Sequence, residues 1–122
     1  MSLISIAPPR SIDDMHAIGP VTQLGSEILS GECSAYALST FGGPTDPISA
    51  GYFAVTPGSF RMIYPFNEQA VVVQGNVTLT DVQTGTATHY GVGDSWFVTK
   101  GTEVLWEVSG SVFIKHFFAV VD

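Results

Sequence analysis

Tyr64 and Glu68 stand four residues apart in the segment that runs from Gly58 to Glu68, and Lys115 lies in the last apolar stretch of the chain. A phenol, a carboxylate and an amine are parts from which acid–base chemistry on a small polar metabolite is built, and each shifts its proton affinity strongly once taken out of water. For Glu68 two readings compete. Either it orients or protonates a bound molecule, or its oxygens accept hydrogen bonds that hold the fold. Tyr64 can donate to a substrate, although a hydroxyl that meets Glu68 is the simpler reading. Lys115, where it faces inward, is expected to pair with Glu68, because an unpaired buried charge is costly. That salt bridge is preferred to a Schiff-base or phosphate-binding role.

The other reactive side chains offer less. Cys33 is the single cysteine, which excludes an internal disulfide, and without an evident base it reads as a small buried thiol. His16, His89 and His116 match no ligand spacing, so each is expected to be a surface or hydrogen-bonded structural residue. The chain carries no nucleophile elbow, no P-loop and no dinucleotide fingerprint. Transition metals need several nitrogen, oxygen or sulfur donors converging on one point, and no such cluster is legible. Neither a metal nor another cofactor is expected.

The elements that must hold Tyr64, Glu68 and Lys115 are strands. The 13 glycines and 7 prolines are spread along the chain, and the segments between them are rich in Val, Thr, Phe and Tyr, the punctuation of an all-β domain. Strands are predicted at 34–39, 51–56, 60–64, 68–74, 76–81, 86–90, 95–98, 103–108 and 112–121. Pro57-Gly58 is expected to close a tight hairpin. In the first fifty residues, a cap-type Ser11 followed by acids predicts a helical turn or two over 11–18, ended by Gly19-Pro20. At 122 residues the chain is one domain. Residues 1–50 read as an irregular arm with one or two strands, packed on the core or on a partner chain, and residues 51–122 as the core itself.

Composition narrows the partners. The formal net charge is −7, with only Arg10, Arg61, Lys100 and Lys115 as fixed cations, so no basic surface is available for nucleic acid. No signal peptide and no membrane-length apolar run is legible, and the expectation is a soluble, cytoplasmic protein. Charged residues make up only 12% of the chain against 45% hydrophobic ones, which leaves few charges to cover a monomer and predicts a homodimer.

With these strands placed, a pattern emerges: Phe60, Met62, Tyr64, Asn67 and Glu68, then Gly75, Val77, Leu79 and Thr80, then Gly93-Asp94, Lys100-Gly101, Trp106, Val108 and Lys115-His116. In order and spacing this set resembles the cupin superfamily, in particular its small single-domain branch of the DUF861 or Cupin_3 type, which includes the ethanolamine-utilisation cupins. The resemblance covers roughly the last seventy residues and implies an all-β, antiparallel jelly-roll β-barrel. It also implies a site. Glu68 keeps the place of the acid in the first cupin motif, with six residues between it and Gly75, but the two histidine positions before it hold Met62 and Tyr64. In the second motif Gly93 and Gly101 keep their places, while the proline position holds Thr99 and the last histidine position Val104.

Strand alternation then places Met62, Tyr64, Glu68, Val104 and Trp106 in one lumen, joined by Lys115 if it points inward. An apolar and aromatic cavity with one carboxylate suits a compact organic ligand. The leading expectation is a metal-independent cupin that binds a small organic molecule at these six residues. One alternative is a hydrolase, aminohydrolase or isomerase resembling ureidoglycine aminohydrolase and the ethanolamine-utilisation cupins, with Glu68 as acid or base and Tyr64 beside it. Another is a structural or regulatory dimer with a closed lumen.

Overall fold

The structure is a computed structural model that describes residues 2–121. Eleven strands account for most of it: β1 (His16–Pro20), β2 (Glu27–Gly31), β3 (Ser34–Phe41), β4 (Ile48–Val55), β5 (Gly58–Ile63), β6 (Asn67–Gln74), β7 (Val77–Asp81), β8 (Thr86–Tyr90), β9 (Ser95–Val98), β10 (Glu103–Val108) and β11 (Phe113–Val120). They form a six-stranded sheet in the order β1-β3-β4-β11-β6-β9 and a five-stranded sheet in the order β2-β5-β10-β7-β8. Every pairing is antiparallel. The two sheets face one another across a shared core, the architecture expected of a jelly roll.

Side-chain alternation builds that core. In β10, Val104, Trp106 and Val108 are buried while Glu103, Leu105 and Glu107 stand farther out, the period of two that a half-buried strand requires. In β6 the buried positions are Glu68, Ala70 and Val72. In β11 the inward row is Phe113, Lys115 and Phe117, and it belongs to the central strand of the larger sheet, between β4 and β6.

The outer face of the larger sheet is covered as well. Met15, Tyr52, Ala54 and Ile114 form a second buried cluster, joined by Ile12 from a single 3₁₀ turn over Ile12–Asp14. Ser11 caps this turn, its hydroxyl accepting from the Asp13 N–H at 3.2 Å. The helical expectation for 11–18 is therefore corrected to three residues, because His16–Pro20 leaves the turn to pair with β3. Residues 16–41 hold three strands rather than one or two, and all three are integral to the sheets.

A second correction concerns β4 and β5. They do not form a hairpin but lie in different sheets, β4 between β3 and β11, β5 between β2 and β10. Pro57-Gly58 is the crossing point. Gly58 has φ +147°, and a Cβ there would lie 2.5 Å from both Cys33 Sγ and the Ser30 carbonyl oxygen. Only glycine lets the chain pass this close to β2 as it changes sheets.

His116 points to the outer face, its ring edge-on to Tyr52 with centroids 4.8 Å apart, and its buried Nε2 has no hydrogen-bond partner among the described residues. Burial lowers its pKa from the ordinary 6.5. As pH falls below 6.5 the unfolded chain takes up this proton before the folded one, so stability is lost until the depressed native value is passed. His116→Phe is expected to flatten this acid limb when urea midpoints are compared between neutral and mildly acidic pH. An equally steep limb in the variant would assign the slope to other groups.

Candidate functional site

Tyr64 sits one residue past the end of β5, and its position is fixed by its backbone. Its N–H donates to the Thr102 carbonyl at 2.9 Å, and its carbonyl accepts from the Gly101 N–H at 2.8 Å. The side chain is thereby locked beside the start of β10. Glu68 is the first inward position of β6, and Lys115 is the second inward position of β11.

Glu68 and Lys115 are not direct cross-strand partners. Glu68 faces Ala119 and Lys115 faces Val72, with the pair Phe117 and Ala70 between them. Two long side chains leaning together over a small alanine close this gap. The Lys115 ammonium donates to Glu68 Oε2 at 2.6 Å, and the Tyr64 hydroxyl donates to the same oxygen at 3.0 Å. Lys115 Nζ also lies 3.5 Å from the Tyr64 hydroxyl oxygen. The side chains of Lys115 and Glu68 are only 5% and 3% exposed.

Around this trio the walls are aromatic. Nζ lies 4.9 Å from the ring centroid of Trp106, 5.3 Å from Phe53, 5.6 Å from Trp96, 5.7 Å from Tyr64 and 5.9 Å from Phe117. Ring faces and the carboxylate favour the charged amine, while loss of water disfavours it. Burial is the largest of these influences and pushes the Lys115 ammonium below its ordinary range, against the pull of Glu68. The Tyr64 hydroxyl moves well above its own range, first through burial and then through the charge of Glu68 and the hydrogen bond to it. Tyr64 is therefore a proton donor to Glu68 throughout the neutral range.

Two cavities meet at Tyr64. The deeper, of about 180 Å³, is lined by Met62, Phe66, Phe53, Trp106 and Phe117, with Glu68 and Lys115 among its walls. The other is a cleft of about 450 Å³ lined by Asp81, Thr86, Thr88, Tyr90, Trp96 and Val104. Of the six residues grouped from sequence, Met62, Tyr64, Glu68, Trp106 and Lys115 line the deeper cavity. Val104 does not join them. Its Cα is paired with that of Met62, but its side chain lines the cleft, and the Tyr64 ring stands in both linings.

Phe53, Trp96 and Phe117 are not among the six residues grouped from sequence. Their place around the amine was nonetheless legible in outline, since Phe117 is two residues from Lys115 on the same strand and therefore on the same face.

The donor set does not fit a divalent metal. The positions that supply histidines in metal-binding cupins hold Met62, Tyr64 and Val104, and among the described residues no group of three or more His, Cys, Asp or Glu side chains converges. The remaining acid is already engaged by a cation of the chain itself, since the Lys115 ammonium is 2.6 Å from Glu68 Oε2.

Two packed antiparallel sheets, with an acid at the first inward position of β6, are the arrangement expected of a cupin-like protein. The chain belongs to the EutQ-like cupin domain family (Cupin_3), whose model matches residues 42–117. Among solved structures it is similar to the EutQ protein of Clostridium difficile, with a TM-score of 0.61 at 16% identity over 73% of this chain and 69% of that one. It is similar also to a DUF861-family protein of unknown function from Pseudomonas syringae pv. tomato, with a TM-score of 0.73 at 17% identity over 87% of this chain and 44% of that one. A third likeness is to the polyketide cyclase RemF of Streptomyces resistomycificus, with a TM-score of 0.66 at 18% identity over 96% and 81% of the two chains. At such identities these likenesses establish the fold. No curated protein sequence matches the chain. No helix among the described residues is long and apolar enough to cross a membrane.

Proposed function

We propose that this chain is a metal-independent cupin that binds a small organic molecule in the cavity beside Tyr64, Glu68 and Lys115. The observation that carries this reading is an ion pair and a phenol buried against a largely apolar cavity. A buried ion pair gives little net stability over hydrophobic residues of the same volume. Its presence beside a cavity, rather than in close-packed core, is what a ligand-orienting role requires. The volume of about 180 Å³ lies below the roughly 300 Å³ at which ordinary ligand pockets begin, so the ligand is compact. Apolar walls hold its body, and the hydrogen-bonded trio fixes its polar end.

An enzymatic version has support in one geometric fact: a single oxygen of Glu68 accepts from both Tyr64 and Lys115, which provides a route for a proton. In that version Glu68 is the acid or base, and Glu68→Gln abolishes turnover with the fold intact.

Binding is tested by backbone NMR shifts on titration with small neutral amides, alcohols, ketones and aldehydes. Perturbations clustered at Met62, Phe66, Lys115 and Phe117 are expected. Met62→Trp, which fills the cavity from its half-buried wall, is expected to abolish them with the spectrum otherwise folded. A panel that leaves this region unperturbed sinks the reading.

A further inference from the structure

We propose that Lys115 is an imine-forming amine and that the ligand of the deep cavity is a small aldehyde or ketone with apolar substituents. This rests on the ligand-binding reading above and names its substrate class. The single positive charge of Lys115 is already matched by Glu68 at 2.6 Å, and neither arginine of the chain lines the cavity. An anionic ligand would bring a second negative charge into a space with one cation, and a cationic ligand a second positive charge beside Nζ. The cavity therefore suits a neutral molecule. Among neutral molecules, a carbonyl compound is the class that an amine held among aromatic walls engages most strongly, because a desolvated amine is a nucleophile.

The trio supplies the proton traffic that imine formation needs. The ammonium first gives a proton to Glu68 Oε2, leaving a free amine and a carboxylic acid. The Nζ lone pair then attacks the carbonyl carbon. A C–N bond forms, the π pair moves to oxygen, and the oxygen takes the proton from Glu68. The positively charged nitrogen of this adduct returns a proton to the carboxylate, and the resulting acid protonates the hydroxyl. The C–O bond breaks, water leaves, and a protonated imine faces an ionised Glu68. Ammonium and carbonyl have become iminium and water, and the ion pair is restored with its charge unchanged. Tyr64, protonated and 3.0 Å from the same oxygen, holds Glu68 in place during the exchange. Burial, the largest influence on Lys115, lowers the energy needed for the first transfer.

The test uses butanal as the probe and the full chain as it stands, with borohydride to trap the imine and peptide mapping to place the adduct. The chain has two lysines, and the exposed Lys100 serves as an internal reference. A reduced butyl adduct is expected on Lys115, with Lys100 labelled at least about tenfold less, since the cavity holds the carbonyl against Nζ and beside the Glu68 proton relay, which raises the effective concentration of the reacting groups. Met62→Trp keeps Lys115 but fills the cavity, and is expected to remove this adduct while leaving labelling of Lys100 unchanged. Butyramide, which cannot form an imine, separates the two readings. If butanal and butyramide both perturb the cavity but Lys115 is never labelled, the imine is overturned and ligand binding stands. If neither perturbs the cavity and Lys115 is labelled no more than Lys100, both readings fall.

Discussion

Lys115→Met is expected to destabilise the protein by about 3–5 kcal/mol, because it leaves the carboxylate of Glu68 buried without its cation. The loss should be far larger than the packing change accounts for, since Met fills much the same space as the lysine stem. Removing both charges tests this directly. In Glu68→Met/Lys115→Met the uncompensated charge is gone, and most of the stability should return. It should not return entirely. The Tyr64 hydroxyl, 1% exposed and donating to Glu68, then has no acceptor, which costs about 1–3 kcal/mol for a buried polar group left unpaired. Adding Tyr64→Phe removes that penalty as well. The triple variant is expected to match or exceed the wild type in urea midpoint while failing to bind any small molecule in the cavity. A stable, non-binding triple variant would mean that the trio is kept for its chemistry. A Lys115→Met variant within about 1 kcal/mol of wild type would instead mean that the pair is well hydrated, against the desolvation argument.

Much of this site is legible in the sequence, for reasons that belong to strands. Once Glu68 is set facing inward, period-two alternation carries Ala70 and Val72 with it, and the cost of burying a lone carboxylate asks for a cation on a neighbouring strand. Lys115 is the one that the last strand offers, and the structure turns it inward. What alternation does not contain is the assignment of strands to sheets. Pro57-Gly58 signals a change of direction, but whether the next strand pairs with the last or crosses to the opposite sheet depends on the close pass against Ser30 and Cys33, a long-range contact. Val104 was misplaced for a similar reason. Its inward direction was correct, but which side of Tyr64 it faces is set by a backbone held between Gly101 and Thr102, outside any strand. His16–Pro20 contains a glycine and a proline and reads poorly as a strand, yet it forms an edge strand because β3 offers it a partner.

Trp106→Ala is expected to cost a further about 3–5 kcal/mol, the range for removing a buried large aromatic. Trp106 is 1% exposed and touches nearly every ring of the core: it stacks on Phe60 with centroids 5.3 Å apart and meets Phe53, Trp96 and Phe113 edge-on at 6.2, 6.0 and 5.7 Å. Of the rings around Lys115 Nζ it also lies nearest, at 4.9 Å. Trp106→Phe separates the contributions. It keeps a ring against Phe60 and removes an indole N–H that is buried without a partner, a group whose burial costs about 1–3 kcal/mol. The phenylalanine variant should therefore lie much closer to wild type than volume alone implies, as read from chemical-denaturation midpoints. Both variants enlarge the deep cavity on the side of the amine. If that cavity selects its ligand by size, Trp106→Phe should admit longer carbonyl compounds at Lys115 than the native protein does, with butanal still trapped. A core so tightly built from five rings around one amine would then set both the stability of the fold and the length of what reaches Nζ, and Trp106 would be the residue at which the two demands meet.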